Sequence, residues 1–275
     1  MKRLFALLLT LALAIGCLAM PAGAIFDPSP VYDVKAQSAY IVNTDTNIIV
    51  YDKDSTAQVS AGGLTKLMCA ALVLTNYGDE LDTRTFQMPF AISDYVYGTD
   101  NADMRSGETF TLRETLYAML LRNANDAAMG MAYQSQQIGT TASTWTDACG
   151  LDPGNVTNAV DMYLILRYLM GFDAFVEIAG SATFQMPAKE KHSKPFILTN
   201  QNMALNQSSG GKFYRSAMKG GMCDVVAYKN DTGTQSYVSW ASQDGETYIF
   251  CVMGVPDTAD AYGYANRRPA LYETT

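Results

Sequence analysis

The sequence predicts an α+β fold: one antiparallel sheet drawn from strands at both ends of the chain, with a helical region between them. Three observations carry that expectation. A strand–turn–strand pattern lies near residue 40, the middle of the chain has helix-like apolar runs, and a second strand–turn–strand pattern fills residues 235–255.

Taken in order, Ala39-Tyr-Ile-Val-Asn43 and Ile48-Ile-Val-Tyr51 are apolar runs on either side of the polar Thr44-Asp-Thr-Asn47, the signature of a hairpin. Residues 64–74 are rich in Leu, Met and Ala and read as a mostly buried helix. Residues 111–132 read as one long helix, opened by a capping box because Glu114 follows Thr111 by three positions. Residues 158–171 form a further helix, with Val160, Leu164 and Tyr168 on one face and Gly171 as its stop. The closing hairpin pairs residues 235–240 with 248–255 around Gln243-Asp-Gly245. Repeats, low-complexity tracts and linkers are absent from the sequence, so the expectation after residue 24 is one domain, 25–275.

Composition narrows the chemistry. In 275 residues there are 27 acidic and 19 basic side chains, for a formal charge of −8, which argues against nucleic acid as a partner because phosphates would go unneutralised. His192 is the only histidine, so a zinc site of two or three histidines is impossible and a Ser-His-Asp triad would have to use that one ring. Lysine, serine and carboxylate chemistry remain; no metal and no cofactor are expected. His192 lies in the charged run Lys189-Glu-Lys-His-Ser-Lys194, and a solvated loop is expected there.

The first residues point to export. Lys2 and Arg3 precede an apolar stretch over residues 4–15, and Ala22-Gly23-Ala24 supplies a small-residue cleavage signal. The stretch is too short to span a bilayer comfortably. Cleavage after Ala24 is expected, with a lipoprotein alternative at Cys17, and the mature protein belongs in the cell envelope or outside the cell. Cys69, Cys149, Cys223 and Cys251 remain after cleavage. None forms a C-x-x-C pair, three disulfide connectivities stay open, and Cys69 and Cys251 sit in runs that read as core.

Three segments carry the functional signal: Ala61-Gly62-Gly63-Leu64-Thr65-Lys66-Leu67-Met68, Leu120-Leu121-Arg122-Asn123-Ala124-Asn125-Asp126-Ala127-Ala128, and Met218-Lys219-Gly220-Gly221. Their order and spacing resemble the serine D-Ala-D-Ala carboxypeptidases, the low-molecular-weight penicillin-binding proteins of peptidase family S11. Gly150-Leu151-Asp152, residues 158–162, Leu198-Thr199-Asn200-Gln201-Asn202 and the two hairpins agree, so the resemblance covers about residues 35–255. It implies a β-lactamase-like fold, peptidoglycan stem peptides ending in D-Ala-D-Ala as ligands, and β-lactams as an inhibitor class. Family members attack the peptide carbonyl with a serine at the first turn of a helix. A lysine three residues on takes its proton, an S-x-N motif relays protons and holds the substrate backbone, and a K-T-G motif on the edge strand attracts the terminal carboxylate.

This sequence departs from that pattern at every hydroxyl. The nucleophile position is Gly63, the relay-serine position is Asn123, and the threonine of the third motif is Gly220. Lys66, Asn125, Lys219 and Gly221 match the family's cationic, amide and glycine positions, and Asn125, Lys219, Gly220 and Gly221 are the substrate-binding positions the resemblance implies. Without an oxygen at 63 no acyl-enzyme forms there, and loss of such a step costs orders of magnitude in rate. Ser60 and Thr65 are the substitutes within reach. Ser60 precedes the helix, whereas Thr65 lies about 200° round the helix from position 63 and points away. The stretch 132–150 is shorter than in relatives, and no accessory C-terminal β-domain is expected. The sequence therefore supports a family protein impaired in acyl-serine chemistry. The alternatives are a non-catalytic peptidoglycan-binding or regulatory protein, one that binds β-lactams non-covalently, an enzyme with Ser60 as displaced nucleophile, and a purely structural surface domain.

Overall fold

The computed structural model describes residues 34–137, 147–202, 205, 218–224 and 234–256. Residues 1–24, where the signal peptide and its lipoprotein alternative at Cys17 are expected, residues 138–146 of the 132–150 stretch and the residues after 256 lie outside the described residues.

The terminal strands do pair. β1 (Ser38–Asn43) and β2 (Ile48–Lys53) make the first hairpin, then β3 (Val59–Ser60) leads into a 3-10 turn at Gly62–Leu64 and helix α1 (Thr65–Tyr77). The helical region continues through β4 (Thr85–Gln87), α2 (Ala91–Tyr95), β5 (Thr109–Thr111), α3 (Leu112–Arg122), α4 (Asn125–Gln137), β6 (Val156–Thr157), α5 (Ala159–Leu169), α6 (Asp173–Gly180) and the small hairpin β7 (Thr183–Met186)–β8 (Phe196–Thr199). β9 (Met218–Asp224), β10 (Thr234–Gln243) and β11 (Glu246–Pro256) complete a five-stranded sheet in the order β2-β1-β11-β10-β9. β1 runs antiparallel to β11 with Ser38 opposite Met253 and Asn43 opposite Tyr248. The β10–β11 turn is Asp244-Gly245, both at positive φ (53° and 86°), which suits the twist of a two-residue hairpin.

As a central strand β11 is buried on both faces. Ile249, Cys251 and Met253 enter the main core beneath the helices, where α5 supplies Met162 and Leu166, while Phe250 and Val252 join a smaller cluster with Val34, Ala39 and Tyr237. Cys69, Cys149 and Cys251 are free thiols.

Three expectations change. The single helix over 111–132 is two helices. Its capping box is present, with Glu114 N donating to Thr111 Oγ1 (3.1 Å) and Thr111 N to Glu114 Oε2 (2.8 Å). The chain breaks at Asn123, whose φ of 54° is left-handed and ends α3. On α5 the face holding Leu164 (54% exposed) and Tyr168 (51%) is the outward one; Ala159, Met162, Tyr163, Leu166 and Leu169 are buried. Both stripes are apolar, so periodicity alone does not choose between them.

His192, third, is not a solvated loop residue. Its Nδ1 lies 2.8 Å from Glu108 Oε1 and its Nε2 3.0 Å from Asp103 Oδ2, beside the Phe196 ring. Neutral imidazole has one N–H, so it cannot donate to both carboxylates; the imidazolium can. Burial alone would push the ring's pKa down, but its bonds to Asp103 and Glu108 outweigh that and hold it above 6.5, even with the Arg105 guanidinium nearby. Lys189, paired with Glu114 at 2.7 Å, and Lys191, whose N–H donates to Glu108, flank it on the same loop. A folded pKa above the unfolded one adds stability that is complete below pH 6.5 and is lost as pH rises through the folded value. Proton NMR of this single ring is expected to titrate above 6.5, and His192→Gln to flatten the decline of melting temperature between pH 6 and 9. A ring titrating below 6.5 would refute the double clasp.

Candidate active site

The first motif is a tight turn followed by a helix. Gly62 takes a positive φ (47°) and Gly63 is buried in the 3-10 turn. One turn into the helical run Lys66 is fully buried, and its Nζ donates to the Cys149 carbonyl at 2.7 Å. That carbonyl belongs to the loop 147–152, which lies directly on the turn. Gly150 has φ 86°, and a β-carbon there would stand 1.7 Å from the Gly62 carbonyl oxygen. Asp147 holds the loop in shape: Oδ1 accepts from Cys149 N (2.9 Å) and Asn155 Nδ2 (3.1 Å), and Oδ2 from Asp152 N (2.6 Å). Tyr95 donates to Oδ2 from α2 at 3.2 Å.

The second motif occupies the break between α3 and α4. Asn123 adopts the left-handed conformation that Asn tolerates better than most residues, and its Nδ2 donates to Asp100 Oδ2 at 3.4 Å. Asn125 N donates to the Asp100 carbonyl at 2.8 Å. Both asparagine side chains are buried. Asp126, also buried, accepts from Ala102 N (3.1 Å to Oδ1) and Met104 N (2.9 Å to Oδ2), so it anchors the segment carrying Asp100. Burial pushes its carboxyl above the usual range, and these backbone bonds pull it back down. From the other side Gln201 Nε2 donates to the Arg122 carbonyl at 2.9 Å.

The third motif is on β9, the sheet edge, which packs against both the 3-10 turn and α6. Gly220 pairs with Trp240 and Gly221 with Ser239, but Ala241 pairs with Met218, so Lys219 is the extra residue of a β-bulge. Its side chain is exposed. Gly221, at φ 137°, has no room for a β-carbon, which would stand 2.3 Å from Ser239 Cα.

The 3-10 turn of the first motif packs against β9 of the third, and α1, which follows the turn, packs against α3 and α4, which flank the second. Of the substitute hydroxyls, Ser60 lies in β3, held opposite Val156, and Thr65 is buried at the start of α1. Cys149 and Cys69, the thiols whose charge Lys66 influences, are not ready nucleophiles. Burial pushes Cys149 up to about 11 and Cys69 up to about 12, so both stay protonated at neutral pH. Sequence reasoning missed Asp147, Asp100 and Trp240: Asp100 and Trp240 meet partners 20 or more residues away, and Asp147 caps its own loop but reaches Tyr95 on α2 only through the fold. Among the described residues no helix is long and apolar enough to cross a membrane.

The family model for D-alanyl-D-alanine carboxypeptidases matches residues 25–256. The chain belongs to that family. It is 24% identical to D-alanyl-D-alanine carboxypeptidase DacF of Bacillus subtilis over 204 residues, 66% of this chain and 48% of that protein. It is 35% identical to a D-alanyl-D-alanine carboxypeptidase of Streptomyces over 124 residues, 44% of this chain and 40% of that one. The chain therefore spans about half or less of the length of those two relatives, whereas DacB2 of Mycobacterium tuberculosis matches over 85% of this chain and 78% of its own, at 24% identity. Among solved structures, the Streptomyces K15 DD-transpeptidase superposes with a TM-score of 0.68 at 18% identity, covering 89% of this chain and 98% of that one. A Mycobacterium tuberculosis D-alanyl-D-alanine carboxypeptidase gives 0.67 at 22%, covering 92% and 94%. These likenesses establish the D-alanyl-D-alanine carboxypeptidase fold, the α+β arrangement that the two hairpins imply.

Proposed function

We propose that this member of the D-alanyl-D-alanine carboxypeptidase family is an exported, envelope-facing protein that binds peptidoglycan stem peptides ending in D-Ala-D-Ala without the acyl-serine step. The observation that carries this reading is the pairing of a buried Lys66, bonded to the Cys149 carbonyl, with a glycine at the nucleophile position. The lysine position is kept and the oxygen it would serve is not. Protonated thiols at Cys69 and Cys149 supply no replacement. What the site retains suits recognition: Asn125 is set by Asp100, and the ammonium of Lys219 stands exposed at the strand edge, suited to a terminal carboxylate. β-Lactams, which carry a carboxylate, would bind reversibly.

The test is incubation of the mature protein with a fluorescent penicillin, followed by denaturing electrophoresis. No covalent band is expected. A band mapped to Ser60 would replace this reading with that of an active enzyme with a displaced nucleophile. In parallel, titration calorimetry with a D-Ala-D-Ala-terminated stem peptide is expected to show reversible binding, weakened about tenfold or more by Lys219→Ala. Absence of binding in the wild type would leave the structural role.

A further inference from the structure

The departure at position 220 is more than a lost hydroxyl, because the space for any side chain there is already filled. Gly220 and Trp240 face each other across the β9–β10 ladder. A β-carbon on Gly220 would stand 2.1 Å from Cη2 of Trp240, 2.4 Å from Cζ2 and 2.7 Å from Cζ3. These atoms are the six-membered edge of a rigid indole, which cannot fold away as the end of a long aliphatic chain could. The indole has little room to retreat: it is 3% exposed and its ring lies 5.8 Å from that of Phe175 on α6. The end of α6 also closes on the strand, since a β-carbon on Gly180 would meet the Lys219 carbonyl oxygen at 2.7 Å.

We propose that Trp240 is a specificity-determining residue of this site: its indole occupies the side-chain volume of position 220, so the third motif meets a ligand through Lys219 and the β9 main chain alone. The largest side chain of the ladder and the smallest act as one reciprocal pair, and the motif cannot regain a hydroxyl unless Trp240 is also made small. Only the ligand clause rests on the function proposed above.

A double-mutant cycle on the full mature chain tests the pair. Gly220→Thr is expected to lower the melting temperature by about 5 °C or more through overpacking, and Trp240→Ala to lower it by leaving a cavity. The double variant should melt above the level that the two losses predict when added, because each change relieves the other. A melting temperature for Gly220→Thr equal to wild type, or strict additivity in the double variant, would overturn the proposal. Should Gly220→Thr not fold, Gly220→Ala completes the same cycle with a smaller intrusion.

The protein has two tryptophans, so Trp145→Phe leaves Trp240 as the sole tryptophan, read by excitation to the red of tyrosine absorption. In that background Gly220→Ala or Gly220→Thr is expected to shift emission to the red and increase acrylamide quenching as the indole is driven out; unchanged emission counts against the proposal. For recognition, the Gly220→Thr/Trp240→Ala chain should bind a D-Ala-D-Ala-terminated peptide more tightly than Trp240→Ala does. Equal affinity would refute the recognition clause. If wild type binds no peptide, that clause falls together with the proposed function, and the melting cycle still decides whether Trp240 and Gly220 form a pair.

Discussion

Gly150→Ala is expected to cost about 4 kcal/mol or more of folding stability, among the largest losses a single methyl group can cause. Two penalties coincide at this residue. Its φ of 86° is one that L side chains avoid, and the new β-carbon would lie 1.7 Å from the Gly62 carbonyl oxygen and 3.0 Å from Gly63 N. Both neighbours are backbone, so no rotamer change relieves the overlap. Either the 147–152 loop lifts from the turn or the turn unwinds. Lifting the loop also takes the Cys149 carbonyl from Lys66 and costs a buried Nζ donor that acceptor. Denaturant unfolding of the two proteins reads the difference, and any ligand binding should fall with it. A Gly150→Ala protein as stable as wild type would mean that loop and turn do not touch, and the site as described would dissolve.

How much of this was legible in the sequence depends on the range of the interaction. The closing hairpin was readable because Asp244-Gly245 is a local signal, and the capping box because Thr111 and Glu114 are three residues apart. The break at Asn123 was not: a left-handed asparagine looks like any polar residue in a helical period. α5 has apolar side chains on two faces, and only packing against β11 and α1 selects the stripe of Met162 and Leu166. His192 sits among lysines, and the carboxylates that clasp it come from more than 80 residues upstream. At the site, the order of the three motifs could be read because family spacing is itself a sequence property. The pairing of Gly220 with Trp240 depends on strand register, and that is a property of the folded sheet.

Asp126 extends the same logic to the second motif, where one buried carboxylate stands between the motif and the segment that orients it. Asp126→Ala is expected to lower stability by about 3 kcal/mol. The backbone N–H groups of Ala102 and Met104 would lose their acceptor, as would that of Ala127 at 2.8 Å, and all three are buried. The cost of removing the carboxylate is partly offset, because burial already disfavours its charge and pushes its pKa up. That makes Asp126→Asn informative: it removes the charge, keeps one acceptor oxygen, and should lose roughly half as much as alanine if hydrogen bonding rather than charge is what matters. The structural consequence would travel one step further. Asp100 is carried by the segment that Asp126 anchors, so Asn123 and Asn125 should lose their fixed partner, and amide exchange at Ala102, Met104 and Asn125 should speed up together. Faster exchange at Ala102 and Met104 with Asn125 unchanged would show that the second motif is held by α3 and α4 themselves, and that Asp126 anchors only the segment beside it.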